Sequence, residues 1–178
     1  MSENFIIRTK RCLLRPFTLQ DSNSLLPILG SEEVMRYSMT GPLELSKIEL
    51  LIEEWLTLYQ KRGFCPWAVI YNNRLIGYAG MDLRTIDEEE YAQITFRLDK
   101  DCWGKGLATE LANAIKEYAF NHLKLLDLIA IIDPENEASI RTVSKIGMSF
   151  KKPVLYGGLS LHIYKVDSNA DKTNLSAF

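Results

Sequence analysis

Apolar and polar residues recur along this chain with two different periods, and each period predicts one kind of element. Apolar side chains at every third or fourth position, in runs bounded by cap residues or glycines, predict helices over residues 21–30, 31–35, 44–62, 107–122 and 136–146. Alternating or short apolar runs predict strands over residues 11–17, 67–71, 74–81, 91–98, 126–132, 154–155 and 160–166. The clearest helix is 44–62, which Gly63 ends.

The order of these elements predicts a single α/β domain of the α+β type, spanning residues 9–166. Hairpins come first and strand–helix units follow, which indicates a mixed, mostly antiparallel central sheet with helices on both faces. Asn72-Asn73 suits a two-residue hairpin turn, and the acidic residues 87–90 are predicted to form a second connection. Residues 167–178 are polar and lack periodicity, so we expect a frayed tail.

Composition and charge exclude several classes of protein. The chain has 178 residues, of which 47% are hydrophobic and 25% charged, as is usual for a globular protein. Its net charge of −2 argues against a general nucleic-acid binder. No apolar run approaches the roughly 20 residues of a membrane span, and no signal peptide is evident. We therefore expect a cytoplasmic protein with no nucleic-acid or membrane partner.

Cysteine and histidine positions do not predict a metal site or a disulfide framework. The three cysteines, Cys12, Cys65 and Cys102, are widely spaced, and the chain has two histidines. A reduced protein in which the cysteines serve as small packing residues is the expectation.

The segment Trp103-Gly-Lys-Gly-Leu-Ala-Thr-Glu110 carries the strongest chemical signal. Gly104 and Gly106 follow a strand and a polar turn and open a helix, which is the order that an anion site requires. Without a Cβ, the main chain lets a phosphate approach the N–H groups at the helix N-terminus. The alternative is a simple tight turn. Gly106 stands where a P-loop needs Ser or Thr, and Thr109 where a dinucleotide site needs Gly, so we expect a phosphate-bearing ligand without a metal.

Four segments together resemble the GNAT N-acetyltransferase superfamily, and in particular its branch of ribosomal-protein-alanine N-acetyltransferases. Two of them, Thr9–Asp21 and Ser31–Tyr37, are similar to the opening strand, helix cap and next short helix of that branch. Trp103–Glu110 looks like its acetyl-CoA pyrophosphate loop, and Asn136–Met148 resembles its second cofactor motif. The resemblance covers residues 9–166 and implies a GNAT-like sheet whose fourth and fifth strands splay apart.

The resemblance also implies which residues hold acetyl-CoA. The pantetheine would pair with the backbone of the fourth strand, and the pyrophosphate would bind the N–H groups of the glycine loop. Asn136 would donate to the pantetheine, cap its own helix, or do both. The implied cofactor residues are Phe96, Arg97, Leu98, Gly104, Lys105, Gly106, Leu107, Ala108, Thr109 and Asn136.

The residues for proton transfer depart from the family pattern. Many members carry a tyrosine acid seven residues after the asparagine, and this chain has Val143 there. A glutamate base often occupies the position of Gln93. Glu90 is therefore the candidate base, against the alternative that the acidic run is only solvated surface. Ser144, with Ser139 as an alternative, is the candidate acid.

These inferences predict an acetyl-CoA-dependent N-acetyltransferase that acts on a primary amine by direct attack within a ternary complex. The acceptor could be the N-terminus of a ribosomal or other protein, or a small-molecule amine, and it would bind between Tyr37 and the hairpin after Leu83. The protein would be a monomer or homodimer. One alternative is a catalytically silent CoA-binding module with the same fold. A nucleotide-binding regulatory domain is less favoured, because the loop lacks a hydroxyl for Mg²⁺.

Overall fold

Eight strands within residues 7–168, the part of the chain that the computed structural model describes, form one sheet in the order β1-β2-β3-β4-β5-β6-β8-β7. The strands are β1 (Ile7–Arg8), β2 (Cys12–Arg15), β3 (Pro66–Tyr71), β4 (Arg74–Ile86), β5 (Glu89–Leu98), β6 (Asp127–Ile132), β7 (Ser149–Tyr156) and β8 (Leu159–Asp167). The helices are α1 (Ser22–Leu29), α2 (Glu32–Met35), α3 (Leu45–Arg62), α4 (Leu107–Glu117) and α5 (Glu137–Lys145). β5 and β6 run parallel, whereas the other neighbouring strands are antiparallel. The predicted mixed, mostly antiparallel sheet is confirmed.

Helices cover both faces of this sheet. Tyr78 of β4 packs on Trp55 of α3, with 4.8 Å between ring centroids. Trp67 of β3 pairs in register with Ala79, the residue after Tyr78, and therefore points to the opposite face. There Trp67 meets Tyr118, just beyond α4, at 5.5 Å. The predicted two-sided arrangement is thus confirmed, with α3 and α4 on opposite faces.

Asp21 stabilises the start of the helical region in a different way from the predicted cap. Its carboxylate accepts hydrogen bonds from both terminal nitrogens of Arg15, at 2.7 and 2.8 Å, and from the backbone N–H of Thr18 at 2.8 Å. It makes no side-chain cap bond to α1, because a 3-10 turn over Leu19–Asp21 precedes that helix. The carboxylate therefore joins β2 to this turn.

The β4–β5 hairpin is longer than predicted. Asp87 and Glu88 have φ angles of 49° and 68° and form a two-residue turn like that of Asn72-Asn73. β4 consequently continues to Ile86, and the predicted connection over residues 87–90 is wrong for Glu89 and Glu90, which belong to β5. Because the side chains at this exposed end are polar, the sequence there lacks the alternation of apolar and polar residues that predicts a strand.

The ends of the domain also extend beyond the prediction. β1 adds a short strand before residue 9, and β8 includes Asp167, which pairs with Asp127 of β6. β7 lies at an edge of the sheet and is largely exposed, so its sequence lacks the alternation that would have marked its full length. The predicted helix 107–122 is α-helical to Glu117 and continues as a π-helical turn. Tail residues 169–178 lie outside the described part of the chain.

Candidate active site

A cleft divides the sheet between β5 and β6. Within the described residues these strands pair in register at one position, Gln93 with Ile129, and then separate. The opening has a volume of about 100 Å³ and is bordered by one face of α5. Because β1 precedes the first predicted strand, β5 and β6 are the predicted fourth and fifth strands, and their predicted splay is confirmed.

Phe96, Arg97 and Leu98 of β5, which are predicted to bind a ligand through their backbone, differ in whether their N–H and C=O groups face the cleft. The carbonyl oxygen of Arg97 is turned toward β4, since a Cβ built on Gly77 would lie 2.0 Å from it. Neighbouring residues of a strand turn their backbone groups to opposite sides, so those of Phe96 and Leu98 face the cleft. The Leu98 carbonyl oxygen already accepts a hydrogen bond from Trp103 Nε1 at 2.9 Å. Arg97 also lines the cleft, but with its carbonyl oxygen directed toward β4 its backbone is poorly placed for the predicted pantetheine contact.

The glycine loop lies beside the N-terminus of α4 and is open to a ligand. Gly104 and Gly106 have φ angles of 72° and 74°, a conformation that glycine adopts at little cost. A Cβ on Gly104 would meet no heavy atom within 4 Å, and one on Gly106 would meet Arg11 Nη2 at 3.7 Å. The backbone conformation, rather than crowding inside the protein, therefore requires glycine here.

The first turn of α4 presents N–H groups to the space in front of this loop. Glu110 N donates to Gly106 O at 3.1 Å, so the N–H groups of Leu107, Ala108 and Thr109 precede the helical hydrogen-bond ladder. The Leu107 side chain is buried, which leaves its backbone for any ligand contact. Lys105 is exposed. With the positive end of the helix dipole, these donors fit a pyrophosphate.

Glu110 ties this loop to the N-terminal hairpin, a connection that the sequence analysis missed. Its carboxylate accepts from Thr9 Oγ1 at 2.6 Å, Arg11 N at 2.8 Å and Arg11 Nε at 2.6 Å. Arg11 Nη1 also donates to the Lys105 carbonyl oxygen at 2.8 Å. Burial by itself would raise the pKa of Glu110, but the hydrogen bonds from Thr9 and Arg11 outweigh it and lower that pKa. Contacts of this kind span about 100 residues and leave no local signal.

The start of α5 forms the other wall of the cleft. Asn136 Oδ1 accepts from Ser139 N at 3.2 Å and caps the helix, and both residues line the cleft. Val143 lies one turn further along the same wall and is buried. Ser144 is exposed and outside the lining, because adjacent helical residues point in different directions. Of the two serines considered for the acid role, the structure brings Ser139 to the cleft and not Ser144.

A second, wider opening meets the cleft along one face of β5. This acceptor groove, as we name it, has a volume of about 760 Å³ and lies between α3, the loop after α2, and strands β4, β5 and β8. Residues that line both openings are Tyr37, Gln93, Thr95, Arg97, Ile131 and Asp133. Two ligands could therefore meet at this junction.

Gln93 lies at this junction with an unused hydrogen-bond acceptor. Its carboxamide oxygen is buried and has no hydrogen-bond partner among residues 7–168. Buried polar atoms in proteins are usually paired, so this unpaired oxygen makes Gln93, a residue that lines both openings, a candidate for ligand contact.

Glu90, the candidate base, lies apart from both openings. It belongs to the distal end of the β4–β5 hairpin, where Glu90 Oε1 lies 2.8 Å from Arg62 Nη2. Both side chains are about half exposed. The structure thus places Glu90 in a surface ion pair and not in the lining of the cleft or the groove.

None of the cysteines Cys12, Cys65 and Cys102 lines the cleft or the acceptor groove. All three are buried and unpaired with one another. Burial raises the pKa of Cys12 to about 11 and that of Cys65 to about 12, so neither thiol ionises at neutral pH. In the part of the chain that the structure describes, no group of three or more His, Cys, Asp or Glu side chains is arranged to hold a metal. No helix in that part is long and apolar enough to cross a membrane.

Comparison with known proteins identifies the family. The family model described as "Acetyltransferase (GNAT) domain" matches residues 11–149. The chain belongs to the GNAT acetyltransferase family. It is 30% identical to an uncharacterized N-acetyltransferase, p20, of Bacillus licheniformis over 148 residues, covering 81% of each chain. It is 28% identical to the spermidine N(1)-acetyltransferase of Escherichia coli (strain K12), covering 80% of this chain and 75% of that one.

The fold is shared with solved structures of the family. The aminoglycoside acetyltransferase AAC(6')-Ib in complex with coenzyme A superposes with a TM-score of 0.78 at 20% identity, covering 93% of this chain and 99% of the other. The predicted superfamily, fold and enzyme class, an acetyl-CoA-dependent N-acetyltransferase, are confirmed. The family uses acetyl-CoA, and the glycine loop and cleft of this chain offer the donors that such a cosubstrate needs.

Proposed function

We propose that this GNAT protein transfers the acetyl group of acetyl-CoA to a primary amine by direct attack in a ternary complex. The observation that carries the proposal is the junction of two openings at Gln93, Thr95 and Arg97. The narrow cleft would hold the pantetheine end of acetyl-CoA, and the acceptor groove would hold the amine. Positioning two substrates at one point removes much of the entropic barrier to their reaction.

The cofactor-binding residues act mainly through their backbone in this proposal. The N–H and C=O groups of Phe96 and the N–H of Leu98 would pair with the pantetheine arm in the way a further strand would. The segment Gly104–Thr109 would bind the pyrophosphate. Asn136 uses its Oδ1 atom as a helix cap, and its amide nitrogen, which has no acceptor among the described residues, would donate to the pantetheine.

Proton transfer would involve residues at the junction. Acetyl-CoA supplies an activated thioester, so the chain mainly has to position the amine and manage its proton. Ser139 lines the cleft and would donate a proton to the leaving sulfur, a role for which exposed Ser144 is poorly placed. Gln93 cannot take up a proton at neutral pH, but its unpaired carboxamide oxygen would accept a hydrogen bond from the amine and orient it.

The placement of Glu90 favours the alternative that its acidic run is surface. A base needs to reach the amine directly or through one water, and Glu90 instead pairs with Arg62 at the hairpin end. The proton would then leave to solvent through the open acceptor groove.

Thiol release from acetyl-CoA with a panel of primary amines tests the proposal. We expect amine-dependent release, with a new amide detected by mass spectrometry. Acetyl-CoA should also raise the melting temperature of the protein. At 100-fold excess over Kd, binding adds about 2.7 kcal/mol to the free energy of unfolding. A melting shift without release for any amine would favour the silent CoA-binding module. No shift at all would remove acetyl-CoA as the ligand.

A further inference from the structure

The charges that line the acceptor groove do not form an acidic site. Four cationic side chains and three carboxylates line it: Arg36, Lys47, Arg84 and Arg97, and Glu54, Asp82 and Asp133. Two of these carboxylates already have partners inside the protein. Asp82 Oδ2 lies 2.7 Å from Arg84 Nη1, and Asp133 Oδ1 accepts from Glu135 N at 2.8 Å. With Asp82 paired to Arg84, an acceptor with several positive charges would find two carboxylates that have no ion-pair partner within residues 7–168, Glu54 and Asp133. Three cations face them: Arg36, Lys47 and Arg97.

Arg97 is the cation closest to the point where the two openings meet. It is half-buried and borders both the cleft and the acceptor groove. Its Nη1 atom donates to the carbonyl oxygen of Val34 at 3.3 Å, and it forms no ion pair with any residue of 7–168. A guanidinium presents five donors in a planar fork that matches a carboxylate. A half-buried guanidinium without an anionic partner is thus suited to bind the carboxylate of a ligand.

Met39 and the turn between β7 and β8 meet at the border of the acceptor groove. The side chain of Met39, in the loop after α2, packs against the turn between β7 and β8, where a Cβ on Gly157 would lie 2.1 Å from Met39 Cε. Tyr156 and Leu159, which flank that turn, also line the groove. Its volume of about 760 Å³ falls within the range of small-molecule sites. This contact restricts passage of an extended chain and leaves room for a small molecule.

We propose that the acceptor is a small primary amine that also carries a carboxylate, such as an apolar amino acid. This inference rests on the proposed acetyl transfer. Arg97 binds the carboxylate, Gln93 orients the amine, and the apolar side chain lies along Leu50, Leu51 and Met39 of the groove. In the reaction, a C–N bond forms as the thioester C–S bond breaks, and the proton lost by the neutral amine balances the proton gained by the thiol.

Leucine and leucinamide distinguish a bound carboxylate from a neutral end group. Amidation lowers the pKa of an α-amino group, so leucinamide is the more reactive amine at neutral pH, and a preference for leucine must come from binding. We expect kcat/KM to be at least about 10-fold higher for leucine, since a charge-assisted hydrogen bond contributes about 1.5–3 kcal/mol. Spermidine and a short acidic peptide with an amidated C-terminus complete the panel and should be poorer acceptors.

Variants at Arg97 assign the preference to this side chain. Arg97→Gln should raise KM for leucine about 10- to 100-fold and leave leucinamide unchanged. Arg97→Lys, which keeps the charge but not the fork, should restore part of the loss. Arg141→Gln is the charge-matched control, because Arg141 pairs with Glu137 on the exposed face of α5 and lines neither opening. An equal loss of acetyl-CoA affinity in Arg97→Gln would assign Arg97 to the cofactor and overturn the inference.

Binding of the acetylated products provides a readout that does not depend on turnover. In calorimetry with CoA present, N-acetyl-leucine should bind more tightly than N-acetyl-leucinamide, and Arg97→Gln should abolish the difference. Equal binding, or a preference for spermidine or the peptide in the kinetic assay, overturns the inference while acetyl transfer stands. If no amine is acetylated, the proposed function fails, and the calorimetric comparison alone decides whether the acceptor groove binds a carboxylate.

Discussion

Arg11 Nε lies 2.6 Å from Glu110 Oε2, so a residue of the first hairpin holds the first turn of the helix behind the glycine loop. The same guanidinium donates to the carbonyl oxygen of Lys105, in the middle of the loop. The segment from Gly104 to Glu110 is therefore shaped both by the hydrogen bonds to Glu110 and by the positive φ angles of its two glycines. These contacts hold the loop in one shape, and a loop held in this way would lose less conformational entropy if it binds the proposed pyrophosphate.

Glu110→Gln should weaken acetyl-CoA binding without unfolding the protein. The side chain keeps its size but loses the charge that holds Arg11, so the glycine loop is held less firmly. An ion pair near the surface contributes about 0.2–1 kcal/mol, and we expect Kd to rise by up to about five-fold. Calorimetric titration with acetyl-CoA measures this, with Glu137→Gln, which removes the exposed pair to Arg141, as control. An unchanged Kd in Glu110→Gln would show that the loop keeps its shape without Arg11.

The glycine loop could be found from the sequence, whereas its support could not. A Gly-x-Gly segment between a strand and a helix is a local pattern, and its chemistry follows from backbone N–H groups that every residue has. Arg11 and Glu110 are 99 residues apart, and which charges meet depends on the tertiary fold.

Side-chain direction explains the other differences at the site. Ser139 and Ser144 lie on one helix, and their spacing alone does not say which faces the cleft. Glu90 precedes Gln93 by three residues on β5, but the hairpin extends further than its polar sequence indicates and carries Glu90 to the surface. The fold and the glycine loop are marked by local patterns in the sequence, whereas the directions of Ser139, Ser144 and Glu90 depend on packing.

Gly106→Ala should weaken acetyl-CoA binding, whereas a glycine-to-alanine change with a similar cost in stability elsewhere in the protein should not. A left-handed conformation costs a non-glycine residue about 1–2 kcal/mol, so both Gly106→Ala and Gly63→Ala should lower the melting temperature. Gly63 is a matched control, because its φ of 75° and its nearest neighbour at 3.7 Å resemble those of Gly106, while it ends α3. We expect Kd to rise at least about ten-fold, equivalent to 1.4 kcal/mol, in Gly106→Ala alone. Equal affinities in both variants would indicate that the loop is only a turn.

Asp21 predicts a specific loss of stability in acid. Burial would raise its pKa, but hydrogen bonds from Arg15 and Thr18 outweigh burial and hold the pKa below the ordinary value of 3.8. The stabilisation is therefore complete above that value and is lost as pH falls through the lower folded pKa. Asp21→Asn should cost about 2 kcal/mol at neutral pH. Melting curves from pH 6 to pH 2.5 should show the two proteins converging below about pH 4, and a constant difference would contradict this assignment.

Ser139→Ala should lower kcat while acetyl-CoA affinity is kept. Ser139 lines the cleft, and loss of a proton donor costs about 100-fold at the lower end of general acid catalysis, since a thiolate is a good leaving group. Ser144→Ala is the matched control on the exposed side of α5 and should have little effect. Steady-state kinetics at saturating acetyl-CoA separates the two. Wild-type kcat in Ser139→Ala would leave water as the proton donor.

Gln93 predicts how the reaction depends on pH. Because the carboxamide cannot accept the proton of an ammonium, kcat/KM of the wild-type protein should rise with pH until the acceptor amine is deprotonated in solution. Gln93→Glu places a carboxylate at the junction of the cleft and the acceptor groove. It should move this rise to lower pH and increase kcat/KM near neutrality, because the new carboxylate can serve as a base.

Gln93→Met separates orientation of the amine from proton transfer. It removes the carboxamide oxygen that has no partner within residues 7–168, so the amine loses a hydrogen bond and KM for the acceptor should rise about five- to ten-fold, as a neutral hydrogen bond contributes about 1 kcal/mol. The pH at which kcat/KM rises should stay where it is in the wild-type protein. Glu90→Gln breaks the surface pair with Arg62 and should alter neither the acceptor KM nor the pH profile. If Glu90→Gln instead flattens the profile, the base lies at the hairpin end and Gln93 has no part in handling the amine.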